Sequence, residues 1–316
     1  LMVSSRKPKV SVFVSTKNRA SLITRAIDSI LSQTSENFEL IIADVSDNDL
    51  TAKVISQYKD YRIVYHKIDN EISPAKTVNK FLFNAKGEYI ALCDDDDEWC
   101  SKDKLKKQVA LLDFLDEDYG FVTCGWELWN DKTNQHISFD MPKTKGNIFP
   151  LMLAKNVTLG LPTLLVKKSA YIAVGGFEES IKYSADYLLL TKLSKLYKFD
   201  FVPEIMVRGH QFHEYGSSSR LVKSKNDYFD KMEYFIFFLK FFESDYNAYP
   251  NAKKAILESI ITMAVRAGNP PSCIKYMNIY LKGEHSYYFI FKRVLQFAYN
   301  ILLIFFKRYI LFFRHV

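Results

Sequence analysis

The sequence predicts an α/β fold with a mostly parallel sheet, followed by a helical C-terminal region. Two observations carry this prediction: short apolar runs alternate with helix-like segments in the first half of the chain, and helical segments separated by glycine and proline follow after residue 220. Alternating strands and helices are typical of βαβ units. We therefore expect a domain over residues 1–220, with halves at about 8–125 and 126–220, and a helical region over 221–316.

The predicted elements follow from hydrophobic periodicity. Runs of apolar and β-branched residues predict strands at 10–15, 38–43, 62–66, 88–93, 120–124 and 163–167. Apolar residues spaced three and four apart predict helices at 20–33, 51–58, 74–84, 102–115 and 186–198. In the C-terminal region, breakers such as Gly268 and Pro270 separate predicted helices at 228–243, 251–267 and 274–281.

Composition excludes several classes of protein. Hydrophobic residues make up 48% and charged residues 25% of the 316 residues, which rules out disordered, collagen-like and disulfide-stapled chains. The net charge is +7, but residues 286–316 contain five lysines or arginines and no acidic residue. The charges of the remaining 38 basic and 36 acidic residues nearly cancel, so the rest of the chain is almost neutral. We therefore expect no nucleic-acid partner, because a basic patch would have to lie in the folded body.

Four consecutive aspartates, Asp94 to Asp97, follow the apolar strand predicted at 88–93. Neighbouring carboxylates repel one another and raise each other's pKa, so a bound cation would stabilise such a cluster. Oxygen ligands favour Mg²⁺ or Mn²⁺, which commonly share their ligand shell with substrate phosphates. A solvated acidic turn that caps the next helix is the alternative. The position directly after a buried strand favours a functional site.

Two other predicted strands also end in polar residues. Thr16, Asn18 and Arg19 come after the first strand, and Asp44 follows the second. Ligands of open α/β sheets bind beyond the carboxyl ends of the strands, where these side chains should converge with the aspartates. Taken singly, Asn18 could be a helix N-cap and Asp44 a turn former.

Several motifs together resemble family 2 glycosyltransferases, which have the Rossmann-like GT-A fold. The run KVSVFVSTKNRASLITRAIDSILSQTSENFELIIAD is similar to the opening of that family, and the aspartates at 94–96 correspond to its DxD motif in the context EYIALCDDDDEW. The segments VGGFEES and ADYLLLTKL resemble its acceptor-side region, and RGH at 208–210 resembles its late R-x-H. The resemblance covers residues 8–220 roughly, in the order of the family.

The resemblance implies metal-dependent hexosyl transfer from a nucleotide-diphosphate sugar, with uridine as the expected base and inversion at the anomeric carbon. It assigns Asp186 as the general base and Asp96 as a ligand of Mn²⁺ or Mg²⁺, with His210 as a further metal ligand or a contact of the diphosphate. The resemblance also implies that a larger set of residues binds the nucleotide sugar: Thr16, Asn18, Arg19, Asp44, Lys76, Asp94 and Asp95.

Three positions depart from the family pattern. Val45 stands where a second aspartate is common, and Lys76 where arginine is common, which keeps a charge but loses a bidentate fork. Ala185 replaces the glutamate that usually precedes the base, so Glu178 and Glu179 stay alternative bases. A catalytically degenerate nucleotide-sugar scaffold is therefore one alternative function. A sugar nucleotidyltransferase is another, disfavoured because the loop STKNRAS has no glycine.

The C-terminal tail has the pattern of an interfacial helix. At about 100° per residue, the basic residues of 292–316 fall on one face, opposite a broad aromatic and aliphatic face. Its longest uncharged stretch, 294–306, is shorter than the roughly 20 residues that span a bilayer. We expect residues 286–316 to bind a membrane surface, although packing on protein or a second subunit is the alternative.

The cysteines, the start of the sequence and the tail together predict where the protein acts and on which acceptor. Four scattered cysteines form no C-x-x-C pair, and no signal-peptide-like run precedes the first strand, which favours a reducing cytoplasmic setting. With the tail, this predicts a peripheral protein on the inner face of the cell membrane. A saccharide or lipid-linked saccharide of the cell surface is then the expected acceptor. An oligomer stays an open alternative.

Overall fold

The computed structural model of the protein describes residues 7–68, 73–181, 184–211 and 225–282. These residues form two compact units, which we describe separately. The first lies within Leu1–Met152 and Val157–Ser219, and the second within Leu153–Asn156 and Arg220–Val316.

Eight strands occur in the described ranges: β1 Val10–Thr16, β2 Phe38–Asp44, β3 Ile63–Lys67, β4 Tyr89–Leu92, β5 Tyr119–Asn130, β6 Gln135–Asp140, β7 Leu165–Lys167 and β8 Lys198–Gln211. The α-helices that accompany them are α1 Ile23–Leu31, α2 Leu50–Ile55, α3 Pro74–Asn84, α4 Lys104–Phe114, α5 Phe149–Leu153, α6 Lys168–Ala173 and α7 Ala185–Leu196. The strand and helix alternation predicted from the sequence is confirmed.

The strands form a single sheet in the order β3-β2-β1-β4-β7-β5-β6, with β8 paired to β5. Strands β3, β2, β1 and β4 are parallel neighbours, and β8 is parallel to β5. Strand β7 runs antiparallel to both β4 and β5, and β6 antiparallel to β5. The predicted mostly parallel sheet is therefore confirmed, and its parallel half brings the ends of β1, β2 and β4 to one edge.

The core lies on both faces of this sheet because successive side chains of a strand point to opposite sides. On one face, Val10, Val12 and Val14 of β1 pack in a cluster with α1. On the other, Phe13 of β1 belongs to a cluster that includes residues of α3, α6 and α7. Burial on both faces explains why β1 and β2 consist mostly of apolar residues in the sequence.

Strands β5, β6 and β8 differ most from the sequence prediction. Strand β6 is exposed along its whole length, so it carries no alternation of buried and exposed residues that a sequence could reveal. Strand β8 falls in the stretch where the sequence pattern is irregular, and its pairing with β5 contains register shifts. The strand predicted at 120–124 is likewise longer, because β5 continues to Asn130 as a hairpin with β6.

Helix α4 buries a lysine in the interior of the first unit. Lys104 is fully buried, donates from Nζ to Gln108 Oε1 at 2.9 Å, and lies 4.0 Å from the ring centroid of Trp99. Burial lowers the pKa of Lys104 to about 8, against the opposing influence of Cys124 and Cys93. In the described part of the chain no carboxylate forms an ion pair with this ammonium group.

We expect the buried lysine to make stability depend on pH above 8. Between pH 8 and 10.5, the ordinary value, the unfolded chain holds a proton at Lys104 that the folded chain has lost. The free energy of unfolding should therefore rise with pH across this window. Urea unfolding at several pH values should give a smaller rise for Lys104→Met, whereas the exposed Lys106→Met should behave like the wild type. Equal slopes for wild type and Lys104→Met would contradict the expectation.

The second unit contains three α-helices in its described part: α8 Lys225–Phe241, α9 Pro250–Ala267 and α10 Pro270–Lys282. Proline occupies the first turn of α9, where its missing N–H costs nothing, and Gly268 ends that helix in the left-handed conformation at φ 66°. The breakers identified in the sequence therefore separate the helices as predicted. No helix of the described ranges has the length and apolarity to cross a bilayer. The predicted tail helix at 286–316 lies outside the described residues.

Candidate functional site

Three polar strand ends meet at the carboxyl edge of the parallel half of the sheet. Thr16, the last residue of β1, lies in register with Asp44, the last residue of β2. Strand β4 pairs with the other side of β1, so Asp94 and the aspartates after it emerge beside Thr16. The convergence predicted from strand order is therefore observed.

Asp44 is a preorganised, fully buried carboxylate. Its Oδ1 accepts from the Ser46 N–H at 2.9 Å, and its Oδ2 from the Tyr65 hydroxyl at 2.8 Å, with Lys67 Nζ 3.5 Å away. Burial alone would raise its pKa, but the hydrogen bonds from Ser46 and Tyr65 and the charge of Lys67 outweigh burial and lower the pKa. The carboxylate is therefore ionised at neutral pH and fixed in position.

Asn18 ties the loop after β1 to the loop after β2. Its backbone N–H donates to Ser46 Oγ at 2.8 Å, its Nδ2 donates to Asp47 Oδ2 at 2.9 Å, and its Oδ1 accepts from the Asp47 N–H at 3.0 Å. Its φ of 56° lies in the left-handed region, which asparagine tolerates better than most residues. Helix α1 begins at Ile23, so Asn18 is not the N-cap of that helix.

Two arginines from the segment after β1 hold the acidic loop. Arg19 Nη1 donates to Asp95 Oδ1 at 2.7 Å and to Asp96 Oδ2 at 3.3 Å. Arg25 Nη2 donates to the Asp96 carbonyl oxygen at 2.8 Å. Asp95 is buried and makes the shorter of the two contacts with Arg19, which gives it a structural anchor.

Asp94, Asp96 and Asp97 each offer one carboxylate oxygen within 4.8 Å of the others. Asp94 is open to a cleft, but protein atoms surround it on the remaining sides. This burial is the main cause that raises the pKa of Asp94 to about 7, and the charges of Asp96, Asp95 and Asp186 raise it further. Burial, then Asp94 and Asp96, also raise the pKa of Asp97. Full ionisation of this group is therefore unfavourable without a cation, and its all-oxygen donors fit Mg²⁺ or Mn²⁺.

His210, at the end of β8, lies next to this acidic group with its ring turned to other carboxylates. Its Nδ1 is 2.5 Å from Asp131 Oδ1, and its Nε2 is 3.6 Å from Glu98 Oε1. Its backbone N–H donates to Asp97 Oδ1 at 3.3 Å. The nearby His210 ring is the main cause that lowers the pKa of Glu98, although Nε2 lies just beyond hydrogen-bond distance of that carboxylate.

The surroundings of His210 were not visible in the sequence. Asp131, in the turn after β5, also accepts from Arg25 Nη1 at 3.3 Å, while Arg208 donates to Glu98 Oε1 at 2.8 Å and to Glu127 Oε1 at 2.6 Å. These ion pairs join residues that are far apart in the chain, so no short sequence motif contains both partners. The R-x-H pattern alone pointed to this region.

A cleft of about 700 Å³ opens at this edge of the sheet. Its walls come from the ends of β1 and β4, the start of α3, the start of α7 and residues 177–181; the lining residues are Phe13, Ser15, Ser73, Pro74, Ala75, Val78, Leu92, Cys93, Asp94, Leu161, Phe177, Glu179, Ser180, Ile181 and Ala185. The cleft therefore joins the acidic group to the segment that precedes α7.

The two remaining predicted site residues lie beside this cleft without lining it. Asp186 is exposed in the first turn of α7, next to the lining residue Ala185, and close enough to Asp94 for its charge to raise the Asp94 pKa. Lys76 is exposed in the first turn of α3, where its backbone N–H donates to Ser73 Oγ at 3.2 Å.

Comparison with known proteins gives one family. The sequence model described as glycosyl transferase family 2 matches residues 11–168, a span that includes β1, β2, β4 and the acidic loop. An uncharacterized glycosyltransferase of Rickettsia typhi is 29% identical over 230 residues, which cover 70% of this chain and 69% of the relative.

Solved structures with a similar fold include two complexes with nucleotide sugars. TarS 1–349 of S. aureus, in complex with UDP-GlcNAc, superposes with a TM-score of 0.61 at 18% identity, covering 87% of this chain and 81% of TarS. The mannosyltransferase PcManGT of Pyrobaculum calidifontis, in complex with GDP-Man and Mn²⁺, gives a TM-score of 0.54 at 19% identity, covering 94% and 86%. At these identities the likeness establishes the fold alone.

Proposed function

The chain belongs to glycosyl transferase family 2, and we propose that it moves a hexosyl group from a nucleoside-diphosphate sugar to an acceptor hydroxyl with inversion. The observation that carries this proposal is the group Asp94, Asp96 and Asp97 beside a cleft whose far wall is the start of α7. We assign catalysis to residues 1–220. A UDP-sugar is the first candidate donor, and GDP-sugars are the second.

We propose that the nucleotide lies along the ends of β1 and β2. Asp44 would accept hydrogen bonds from the base or ribose together with Asp94 or Asp95, and its lowered pKa keeps it an acceptor at neutral pH. The loop joined by Asn18 would give the pocket its shape, along with Thr16 and Arg19. Lys76, exposed at the start of α3, is the proposed contact of the diphosphate.

Asp96 is the proposed principal ligand of a Mn²⁺ or Mg²⁺ ion, with Asp94 and Asp97 close enough to share it. When bound, such a cation supplies Lewis-acid stabilisation of the charge on the leaving diphosphate. The proposal for His210 as a further ligand requires its ring to turn from Asp131 and Glu98, whereas its backbone N–H already orients Asp97. The Mn²⁺ in the Pyrobaculum neighbour supports a metal of this kind.

Asp186 is the proposed general base. The acceptor oxygen would attack C1 of the sugar from the side of α7 while the Asp186 carboxylate takes the hydroxyl proton, and the bond from C1 to the diphosphate oxygen breaks on the opposite side. A single displacement of this kind inverts the anomeric carbon. The open position of Asp186 beside the cleft supports this role, because an acceptor can approach it.

Turnover in the presence of metal tests the proposed function. Release of nucleoside diphosphate should be measured with UDP-glucose, UDP-GlcNAc and GDP-mannose, each with Mn²⁺ and with EDTA. We expect Mn²⁺-dependent hydrolysis or transfer with at least one donor. Binding of a donor without any turnover would instead support the degenerate scaffold, to which Ala185 gives some basis. Production of a nucleotide sugar from a sugar phosphate and nucleoside triphosphate would support a nucleotidyltransferase.

We propose a saccharide or lipid-linked saccharide of the cell surface as the acceptor, met at the inner face of the membrane through residues 286–316. The basic and aromatic faces of that segment in the sequence support this proposal. The full chain should sediment with vesicles that contain anionic lipid and remain in solution with neutral vesicles. Deletion of residues 286–316 should abolish sedimentation, and unchanged lipid binding after the deletion would contradict the proposal.

A further inference from the structure

One wall of the cleft, residues 177–181, is held by the buried side chain of Asn79 on α3. Its Oδ1 accepts from the Tyr171 hydroxyl at 2.6 Å and from the Phe177 N–H at 2.9 Å. Its Nδ2 donates to the Phe177 carbonyl at 2.9 Å and to Glu179 Oε1 at 3.0 Å. All four hydrogen-bonding positions of this amide are therefore used, which fixes both the wall and Glu179.

The turn before this wall has little freedom to move. Gly176 has a φ of 61°, and a Cβ there would lie 2.5 Å from Asn79 Oδ1, so the backbone packs directly against the amide. Lys192 Nζ on α7 donates to the Gly176 carbonyl oxygen at 2.6 Å. Because α3 and α7 both hold the turn, the position of Glu179 is set by two helices.

Glu179 presents a carboxylate to the cleft. One oxygen is held by Asn79, and the side chain is exposed where it lines the cleft, so the second oxygen is available to a ligand. The polar lining is otherwise Asp94 and the hydroxyls of Ser15, Ser73 and Ser180, and none of the described lining residues is basic. Carboxylates and hydroxyls both accept hydrogen bonds from sugar hydroxyls, and the carboxylates also repel an anionic group.

The location of this carboxylate identifies which sugar it would meet. The cleft reaches from Asp94, in the acidic group, to Ala185, directly before the proposed base Asp186. A sugar held between the leaving diphosphate and the attacking acceptor must occupy that interval. The alanine methyl group offers no hydrogen bond there, so Glu179 and Asp94 are the carboxylates that the described lining residues offer to this sugar.

We propose that Glu179 selects the transferred sugar: its carboxylate accepts hydrogen bonds from sugar hydroxyls and restricts the donor to neutral sugars. The inference rests on the proposed function and adds the class of the sugar. A hexose or N-acetylhexosamine would satisfy the free oxygen of Glu179, whereas a uronic acid would place a second carboxylate against it. A specificity residue of this kind acts by attraction and by repulsion together.

Binding of matched donors tests the inference. The affinities of UDP-glucose, UDP-glucuronate and UDP, and of GDP-mannose, GDP-mannuronate and GDP, should be measured by calorimetry with Mn²⁺. We expect the wild type to bind the neutral sugar at least about tenfold more tightly than the uronate, since close like charges cost more than 1.4 kcal/mol in a cleft. Glu179→Gln keeps an acceptor for Asn79 but loses the charge, so the ratio of the affinities for the neutral sugar and the uronate should fall about fivefold or more. Affinity for UDP or GDP alone should not change.

Three comparisons give the result a clear meaning. Glu179→Asp, which keeps the charge, should still reject the uronate, and Glu117→Gln, an exposed change outside the site, should match the wild type. If Glu179→Gln binds the donors with unchanged discrimination, the inference about Glu179 is overturned while the proposed function stands. If its sugar discrimination is unchanged but turnover vanishes with every donor, Glu179 is the general base instead. If neither nucleotide binds the wild type, the proposed function fails as well.

Discussion

Asp96→Ala is expected to abolish metal-dependent turnover, with a loss of about 10³-fold or more. Asp96 supplies one of the three carboxylate oxygens that lie within 4.8 Å of one another, so its removal leaves an incomplete ligand set. Stabilisation of the leaving group by a bound metal is worth several kcal/mol, and about 4 kcal/mol corresponds to 10³ in rate. Release of nucleoside diphosphate would measure the loss of turnover. Electron paramagnetic resonance of the free protein with Mn²⁺ would measure the loss of metal affinity.

The fold should survive this substitution. Arg19 keeps its shorter contact, 2.7 Å, with Asp95, and the hydrogen bond from Arg25 is made to the Asp96 backbone, which alanine retains. Asp116→Ala, at an exposed position outside the site, is the matched control and should keep wild-type turnover and Mn²⁺ affinity. Mn²⁺-dependent turnover near the wild-type rate in Asp96→Ala would show that the acidic group is a solvated turn and not a metal site.

Asp186→Asn should lower kcat by about 10²–10⁴-fold while the donor still binds. Asparagine has the shape of aspartate but cannot take the acceptor proton, and general-base assistance is worth about this much in rate. Asp186 does not line the cleft and is not among the clustered acidic ligands, so affinity for donor and for Mn²⁺ should stay near the wild-type values. Initial rates at saturating donor and acceptor, with donor binding by calorimetry, separate the two quantities.

The exposed surface change Asp118→Asn serves as the control for loss of one aspartate charge. Wild-type kcat in Asp186→Asn would refute the assignment of the base. The search would then move to Glu178 and Glu179, which lie on the segment that approaches the same helix. A combined loss of kcat and of donor binding would instead mean that Asp186 organises the cleft.

The parts of the fold that a single sequence revealed are those with continuous local patterns. Strands β1, β2 and β4 are buried on both faces, so each is rich in apolar residues, and the polar residues at their ends stand out. Strand β6 has no buried face and therefore left no signal. The site residues at strand ends could be found in the same way, because position after a strand is a local property.

Other features depend on contacts that no local pattern encodes. Lys104 looks like any lysine of an amphipathic helix, yet α4 carries it fully into the interior beside Trp99. Asp131 pairs with Arg25 and His210, residues of two distant segments. The role of Asn79 depends on a turn almost a hundred residues further along the chain. Such pairings become visible only when three-dimensional packing is known.

The pairing of β1 with β4, in which Val10 is opposite Tyr89, and of β5 with β8, in which Tyr119 is opposite Lys198, joins segments that are remote in sequence. Such remote pairings give the domain a high contact order. Folding is slowed because closing the large loops between the paired strands costs entropy. A nascent chain that has passed β4 holds the acidic loop but lacks Arg208 and His210, which must arrive with β8. Ribosome-bound or truncated fragments that end before β8 should therefore be incompetent for catalysis and prone to aggregation through unpaired strand edges.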